Sequence, residues 1–284
     1  MAKTIVAITG ASSGIGAAFA RRLAPEHDLL LIARRRDKLD ALAAELTKSC
    51  GCHAETLVAD LSLESDSQRV AERLASEPSL VLLINNAGFG SKGRFWESPL
   101  EIQEQMHKLH VMATVRLTHA ALKNLTAQDR GGIINVASVA SFMRSQGSVS
   151  YGATKSWMAV FSEALYLELK AARSNVQMQA LCPGFTYSEF HDTMGADRAS
   201  LAGAAFWHSA EFVVDASLNG LRRNKLFVVP GWRYRLLTAV ISKLPSAMRL
   251  RMELIGGNMR NNSLLLHQQQ SAAALPPAKQ DEHA

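Results

Sequence analysis

The chain has 284 residues, 48% hydrophobic and 20% charged, with a net charge of +6; this is the make-up of a soluble globular protein, with room for one large α/β domain or two smaller ones. No run reaches the roughly 18 uninterrupted apolar residues of a membrane span, and the N-terminus runs straight into a predicted strand without a signal peptide, so a cytoplasmic protein is expected. Three cysteines, Cys50, Cys52 and Cys182, are too few and too odd in number for a disulfide framework. Cys50-Gly51-Cys52-His53 lacks the second ligand pair that a metal site needs, so no metal is expected.

In chain order, apolar runs at 4–8, 29–32, 56–58 and 80–84 alternate with helical patterns at 15–23, 38–46 and 67–75. Strands that read as continuous apolar runs, separated by helices, predict an α/β protein with a doubly wound parallel sheet covered on both faces. A long helix over 99–123, a strand at 133–136, a second long helix over 150–172 and a strand at 176–181 follow. Residues 184–212 break the rhythm with glycine, aromatics and methionine, as expected of a substrate flap, before a helix at 211–221 and a last strand at 226–229. No repeat or linker divides residues 1–231, which are expected to form one domain.

The remainder differs in charge. Residues 221–260 hold nine Lys or Arg against one acid, Glu253, so this segment alone exceeds the chain's net charge and the rest is slightly acidic. Trp232, Leu236, Val240 and Leu244 recur at helical spacing beside Arg233, Arg235 and Lys243, predicting a basic amphipathic helical extension over 232–266. Such a helix packs on its own domain or a second subunit, or docks on an anionic membrane surface, which would make the protein membrane-peripheral. Residues 267–284 have the composition of a disordered tail.

Three motifs carry chemistry. Thr9-Gly10-Ala11-Ser12-Ser13-Gly14-Ile15-Gly16 joins the first strand to the first helix, where backbone N–H groups can approach a pyrophosphate at a helix N-terminus. At the end of the second strand, Ala33 stands where a carboxylate would bind the adenosine ribose hydroxyls of NAD(H). Arg34 and, behind it, Arg35 can instead pair with a 2′-phosphate, so NADP(H) is the expected cofactor; Asp37 is expected to cap the next helix. Tyr151 and Lys155 lie four residues apart on one helix face. The ammonium can stabilise the ionised phenol, while Ser138, at a strand end, can hold a carbonyl oxygen.

With Asn85-Asn86-Ala87-Gly88 after the fourth strand, these motifs make residues 3–230 resemble the short-chain dehydrogenase/reductase family. The resemblance implies a Rossmann-like fold, phosphate binding by Gly10, Ser12, Ser13, Gly14, Ile15 and Gly16, and a cofactor border at Asn86, Ala87 and Gly88. It places Asp60 and Leu61 near the adenine and Pro183 and Gly184 beside the nicotinamide, with Thr186 and Ser188 as contacts to the carboxamide or the pyrophosphate. Ser138, Tyr151 and Lys155 become the catalytic residues, the last two also touching the cofactor. It further implies a homodimer or homotetramer built on the two long helices.

One departure stands out: the family usually has an asparagine that kinks the fourth helix and holds a relay water, and His110 falls there. A histidine could serve the relay with a pH sensitivity, or mark an impaired enzyme that senses NADP(H) rather than turning over. Phe89, Phe142, Met143, Met194, Phe185, Phe206 and Trp207 follow strand ends or lie in the irregular segment, where the ligand crevice of an open α/β sheet opens. The reading is therefore an NADP(H)-dependent reductase of a hydrophobic ketone, with no nucleic-acid partner expected.

Overall fold

A computed structural model describes residues 3–91, 93–143, 146–189 and 203–255. The expected apolar runs become the strands β1 (Ile5–Thr9), β2 (Asp28–Ala33), β3 (Ala54–Val58), β4 (Leu80–Asn85), β5 (Gly132–Val136), β6 (Gln177–Leu181) and β7 (Phe227–Val228). All pair in parallel, in the order β3-β2-β1-β4-β5-β6-β7. The helices are α1 (Gly14–Leu23), α2 (Arg36–Cys50), α3 (Glu64–Ala75), α4 (Leu100–His107), α5 (Thr114–Gln128), α6 (Val149–Ala171), α7 (Ala210–Arg222) and α8 (Trp232–Lys243).

The central strands read as largely apolar runs because successive side chains enter different cores on the two faces. Val6, Ile8, Leu29 and Leu31 pack with α1, α2 and α7, whereas Ala7, Leu30 and Ile32 pack with α3, α5 and α6. On α2 the buried residues Leu39, Leu42, Ala43 and Leu46 follow the helical repeat that the sequence displays. Each fully buried leucine contributes about 1.5–3 kcal/mol. A buried polar chain crosses the sheet as well: Asn85 Nδ2 donates to Thr118 Oγ1 (3.0 Å) and Asn135 Oδ1 (2.9 Å), and Asn135 Nδ2 donates to Ser162 Oγ (2.9 Å). It ties β4 and β5 to the helices on one face, so those helices cannot slide without leaving buried amides unpaired.

β1 lies between β2 and β4, and the strand order reverses there. Ligands of open α/β sheets bind outside the carboxyl ends of the strands at such a point.

Several boundaries depart from expectation. The stretch 99–123 is α4, a π-helical turn at Lys108–Ala113 and α5, so the kink takes the form of a widened turn carrying His110. Asp37 is not the cap of α2. Arg35 holds that position in extended conformation without a side-chain cap, and Asp37 lies in the first turn, where the helix dipole favours an acid. Gly51, at φ +61°, ends α2, and Cys52 turns into the core, so the Cys-Gly-Cys-His run is a helix end entering a strand.

The compact body does not stop at 231 but extends through α8 to Lys243. The stripe Trp232, Leu236 and Val240 is exposed, and α8 instead buries Tyr234, Thr238 and Ile241. Beyond Lys243, residues 246–255 are helical. Met194 with the rest of 190–202 in the expected flap, the end of the extension from 256 and the tail at 267–284 lie outside the described residues. Among the described residues no helix is long and apolar enough to cross a membrane.

Candidate active site

The turn between β1 and α1 is shaped by close backbone approach. Gly10 and Gly14 have φ of +65° and +54°, which L side chains rarely adopt. A Cβ on Gly16 would lie 2.3 Å from the Gly10 carbonyl oxygen and 2.6 Å from Asn86 Nδ2. Asn86, just past the neighbouring strand β4, holds the turn by donating to the Thr9 (2.9 Å) and Gly10 (3.2 Å) carbonyls, while Thr9 Oγ1 accepts from the N–H groups of Asn86 and Ala87 at 2.9 Å each. What remains is bare backbone at the N-terminus of α1, a cradle that side chains would fill. The pyrophosphate of a nicotinamide dinucleotide fits it.

The two arginines exchange emphasis relative to the sequence reading. Arg34 points outward, 69% exposed, with Nη1 3.7 Å from Asp60 Oδ2. Arg35 folds back over the glycine turn, its Nη2 donating to Ser12 Oγ (3.1 Å) and Ser13 Oγ (2.9 Å) and its Nη1 to Glu189 Oε2 (2.7 Å). Lys38, one helical turn on, donates to Glu189 Oε1. Asp60 also closes the turn after β3, accepting from the Ser62 backbone N–H (3.0 Å) and hydroxyl (2.7 Å); Leu61 is buried beneath it.

At the other end of the crevice, Ser138 leaves β5 in extended conformation and caps a short 3-10 turn, Val139–Ser141. Val139 N–H donates to the Pro183 carbonyl (3.0 Å), tying the loop after β5 to the loop after β6. Ser141 Oγ donates to the Lys155 carbonyl (2.7 Å) and Ser156 Oγ to the Ser141 carbonyl (3.0 Å), which fixes α6 against that loop. Tyr151 and Ser138 thereby come into hydrogen-bonding contact.

Lys155 is buried, its Nζ donating to the Val136 carbonyl (2.7 Å) and lying 5.9 Å from the centre of the Tyr151 ring. Burial lowers its ammonium to about 8. The expected lowering of the phenol by Lys155 does not govern here: burial pushes the Tyr151 hydroxyl up, and the hydrogen bond with Ser138 opposes this in smaller measure. Near neutral pH the site therefore holds a protonated tyrosine beside a largely charged lysine.

His110 is fully buried between Phe89 and Tyr151, with ring centroids 6.0 and 6.1 Å away. Its Nε2 accepts from the Phe89 backbone N–H (3.2 Å), and its Nδ1 lies 2.9 Å from Thr154 Oγ1. Because the Thr154 hydroxyl donates to the Tyr151 carbonyl (3.0 Å), Nδ1 carries the ring proton and donates to Thr154. Both nitrogens are thus committed to protein groups.

Burial, followed by the nearby charge of Lys155, holds His110 well below the usual histidine range. It stays neutral through physiological pH, contrary to the pH-sensitive relay that the sequence suggested. The unfolded chain takes up a proton near 6.5 that the folded imidazole refuses, so folding stability should fall as pH drops below 6.5, by up to about 1.4 kcal/mol per pH unit from this residue. Urea denaturation between pH 7 and 5 should show a shallower loss in His110→Asn than in the wild type; equal slopes would count against a neutral buried ring.

Beyond β6, the aromatic candidates divide. Phe185 and Tyr187 flank the buried Trp207, with centroids 5.3 and 5.0 Å away. Phe142 turns inward instead, edge-on to Phe227 (6.0 Å), packing against Ala137, Met158, Ala180 and Cys182. Phe89 lies beside His110, while Met143 is half-buried after the 3-10 turn. Thr186 Oγ1 donates to the Gly184 carbonyl (3.1 Å) and Ser188 Oγ to the Thr186 carbonyl (3.4 Å), so both hydroxyls shape the turn itself.

Tyr234 of α8 was not anticipated. Its hydroxyl accepts from the Phe185 N–H (3.0 Å) and donates to the Phe206 carbonyl (2.9 Å), and its ring fills the space above Gly184, where a Cβ would meet it at 2.1 Å. Tyr234→Phe leaves both backbone groups short of a partner and should cost about 1–3 kcal/mol, measurable as a lower urea midpoint. An unchanged midpoint would mean that the hydroxyl is replaceable by water.

Lys38 was legible in principle, one turn after Arg35; Thr154, Tyr234 and Glu189 carry no local signal.

A sequence profile described as short chain dehydrogenase matches residues 4–199. The 17-beta-hydroxysteroid dehydrogenase type 3 of Homo sapiens is 31% identical over 180 residues, which cover 62% of this chain and 57% of that protein. Among solved structures, a short-chain dehydrogenase from Sphingobium yanoikuyae in complex with NADPH is 35% identical with a TM-score of 0.76, covering 86% of this chain and 97% of that one. A bulky-bulky ketone specific alcohol dehydrogenase from Comamonas testosteroni is 29% identical with a TM-score of 0.72, covering 100% of this chain and 98% of that one.

Proposed function

The chain belongs to the short-chain dehydrogenase/reductase family of oxidoreductase enzymes, and from that premise we propose that it reduces a bulky hydrophobic ketone to a secondary alcohol at the expense of NADPH. The observation that carries this reading is the contact between Tyr151 and Ser138, beside the buried Lys155 and at the same carboxyl end of the strands as the dinucleotide cradle.

The nicotinamide, when bound, supplies the hydride to the carbonyl carbon. The chain's own residues do the rest. Ser138 donates a hydrogen bond to the carbonyl oxygen and holds it in front of Tyr151. The Tyr151 hydroxyl gives its proton to that oxygen as negative charge develops, and Lys155 stabilises the phenolate left behind. Burial keeps the Tyr151 phenol protonated at rest, the form that can give a proton to the developing alkoxide. Arg35 and Lys38, rather than Arg34, are the cations placed to receive a 2′-phosphate, and they support NADP(H) over NAD(H).

The Phe185–Trp207–Tyr187 stack and Phe89 offer apolar walls near the carboxyl ends of the strands, in keeping with the steroid and bulky-ketone names of the relatives. Exposed Met112 in the π-helical turn, Val115 on α5, and Val160 and Leu167 on α6 support a homo-oligomer joined through these helices.

His110 supports a second reading. With both nitrogens engaged it offers no site for a relay water, as a cofactor sensor without turnover could tolerate. NADPH oxidation against aliphatic, aromatic and steroid-like ketones separates the two. Turnover of a bulky ketone is expected; NADPH binding without turnover of any ketone would overturn the reductase in favour of the sensor.

A further inference from the structure

Arg35 and Lys38 stand one turn apart at the start of α2, and both end on one carboxylate. Arg35 Nη1 donates to Glu189 Oε2 at 2.7 Å, and Lys38 Nζ donates to Oε1. The hydrogen bonds of Lys38 and then Arg35 hold the Glu189 carboxyl down to about 2, so it is an anion at any physiological pH. It comes from the segment after β6, more than 150 positions along the chain, and its neighbour Ser188 touches the glycine turn: a Cβ on Gly14 would meet Ser188 Cβ at 2.9 Å. The segment therefore rests on the nucleotide cradle at two points, one steric and one ionic.

The chemistry of the ionic point is that of a 2′-phosphate. Ser12, Ser13, Arg35 and Lys38 converge on one small region, with a carboxylate already between the two cations. The side chains of Arg35, Lys38 and Glu189 are 42%, 40% and 41% exposed, so the ion pairs are partly screened by water and each is weak. A phosphate monoester brings about two negative charges and three acceptor oxygens against the carboxylate's single charge, and can take a guanidinium in bidentate fashion.

We propose that Glu189 is a built-in competitor for the 2′-phosphate of NADP(H): it occupies Arg35 and Lys38 in the nucleotide-free protein, yields them to NADP(H) and keeps them when NAD(H) binds. This rests on the dinucleotide-binding reading above and adds a determinant of coenzyme selectivity. The selectivity of the chain is then smaller than its two cations alone would give, because each NADP(H) molecule must displace an internal anion.

The test is fluorescence titration of the full chain with NADPH and with NADH, in the wild type, in Glu189→Gln, and in Arg35→Ala with and without Glu189→Gln. Glu189→Gln should bind NADPH about 3- to 10-fold more tightly, in keeping with two weak exposed pairs, and NADH within about twofold of the wild type. In the Arg35→Ala background the gain should shrink, because the carboxylate then competes for one cation fewer.

Equal NADPH affinity in the wild type and Glu189→Gln would overturn the proposal, as would equal tightening of both nucleotides, which would mark a general effect on access. Wild-type protein that binds neither nucleotide would remove the dinucleotide reading itself, and this inference with it. Tight NADPH binding with no change in Glu189→Gln would remove the inference alone.

Discussion

Tyr151→Phe should lower ketone turnover by about a hundredfold or more, within the range of general acid catalysis, while NADPH affinity stays within about twofold of the wild type. A hundredfold is about 2.7 kcal/mol of transition-state stabilisation. The substitution removes one oxygen and keeps the ring, so the edge contact with His110 and the Thr154 bond to the residue 151 carbonyl persist, and the fold should hold. What is lost is the proton that Ser138 and Lys155 are arranged around. Steady-state kinetics and NADPH titration on the same preparation separate this from a structural effect. Turnover within a few-fold of the wild type would remove Tyr151 as the acid, whereas a parallel loss of NADPH affinity would assign it a binding role.

Gly16→Ala should abolish dinucleotide binding and destabilise the fold by about 1–3 kcal/mol, as overpacking does. Its Cβ would meet a backbone carbonyl at 2.3 Å, and that carbonyl belongs to Gly10, itself held by Asn86 and by a positive φ. A flexible side chain could swing aside; this carbonyl can move only by displacing the cradle. Gly152 is the contrasting case, lying in α6 with nothing within 4 Å of its Cβ position. Gly152→Ala should stabilise the protein by about 0.5–1 kcal/mol. Urea denaturation and NADPH titration of both variants test the pair, and a Gly16→Ala protein that binds NADPH as the wild type does would refute the cradle.

Arg34 and Arg35 are adjacent in the chain and part company in space. Both follow β2, and the sequence marks a basic site there in place of an acid. Which arginine crosses the turn depends on the direction in which each leaves the strand end, and on the hydroxyls of Ser12 and Ser13 waiting for one of them. The same holds for α8. Its apolar stripe Trp232, Leu236 and Val240 stays exposed, and Tyr234, Thr238 and Ile241 are the residues buried, because the space above Gly184 admits a ring and the Phe185 N–H and Phe206 carbonyl find a hydroxyl there.

By itself the sequence determined what depends on short-range periodicity and backbone stereochemistry: the alternation of strands and helices, the glycine turn at the first helix, and the placing of Tyr151 and Lys155 on one helix face. These follow from repeats of two and 3.6 residues and from φ values open to glycine, all properties of neighbours in the chain. Tertiary structure alone decided that His110 is a neutral, doubly bonded ring, that burial outweighs Lys155 in setting the Tyr151 hydroxyl, and that Glu189 occupies the basic pair. Each is set by desolvation and by partners that meet only when the carboxyl ends of separate strands are brought side by side, and no local pattern in the chain encodes that meeting.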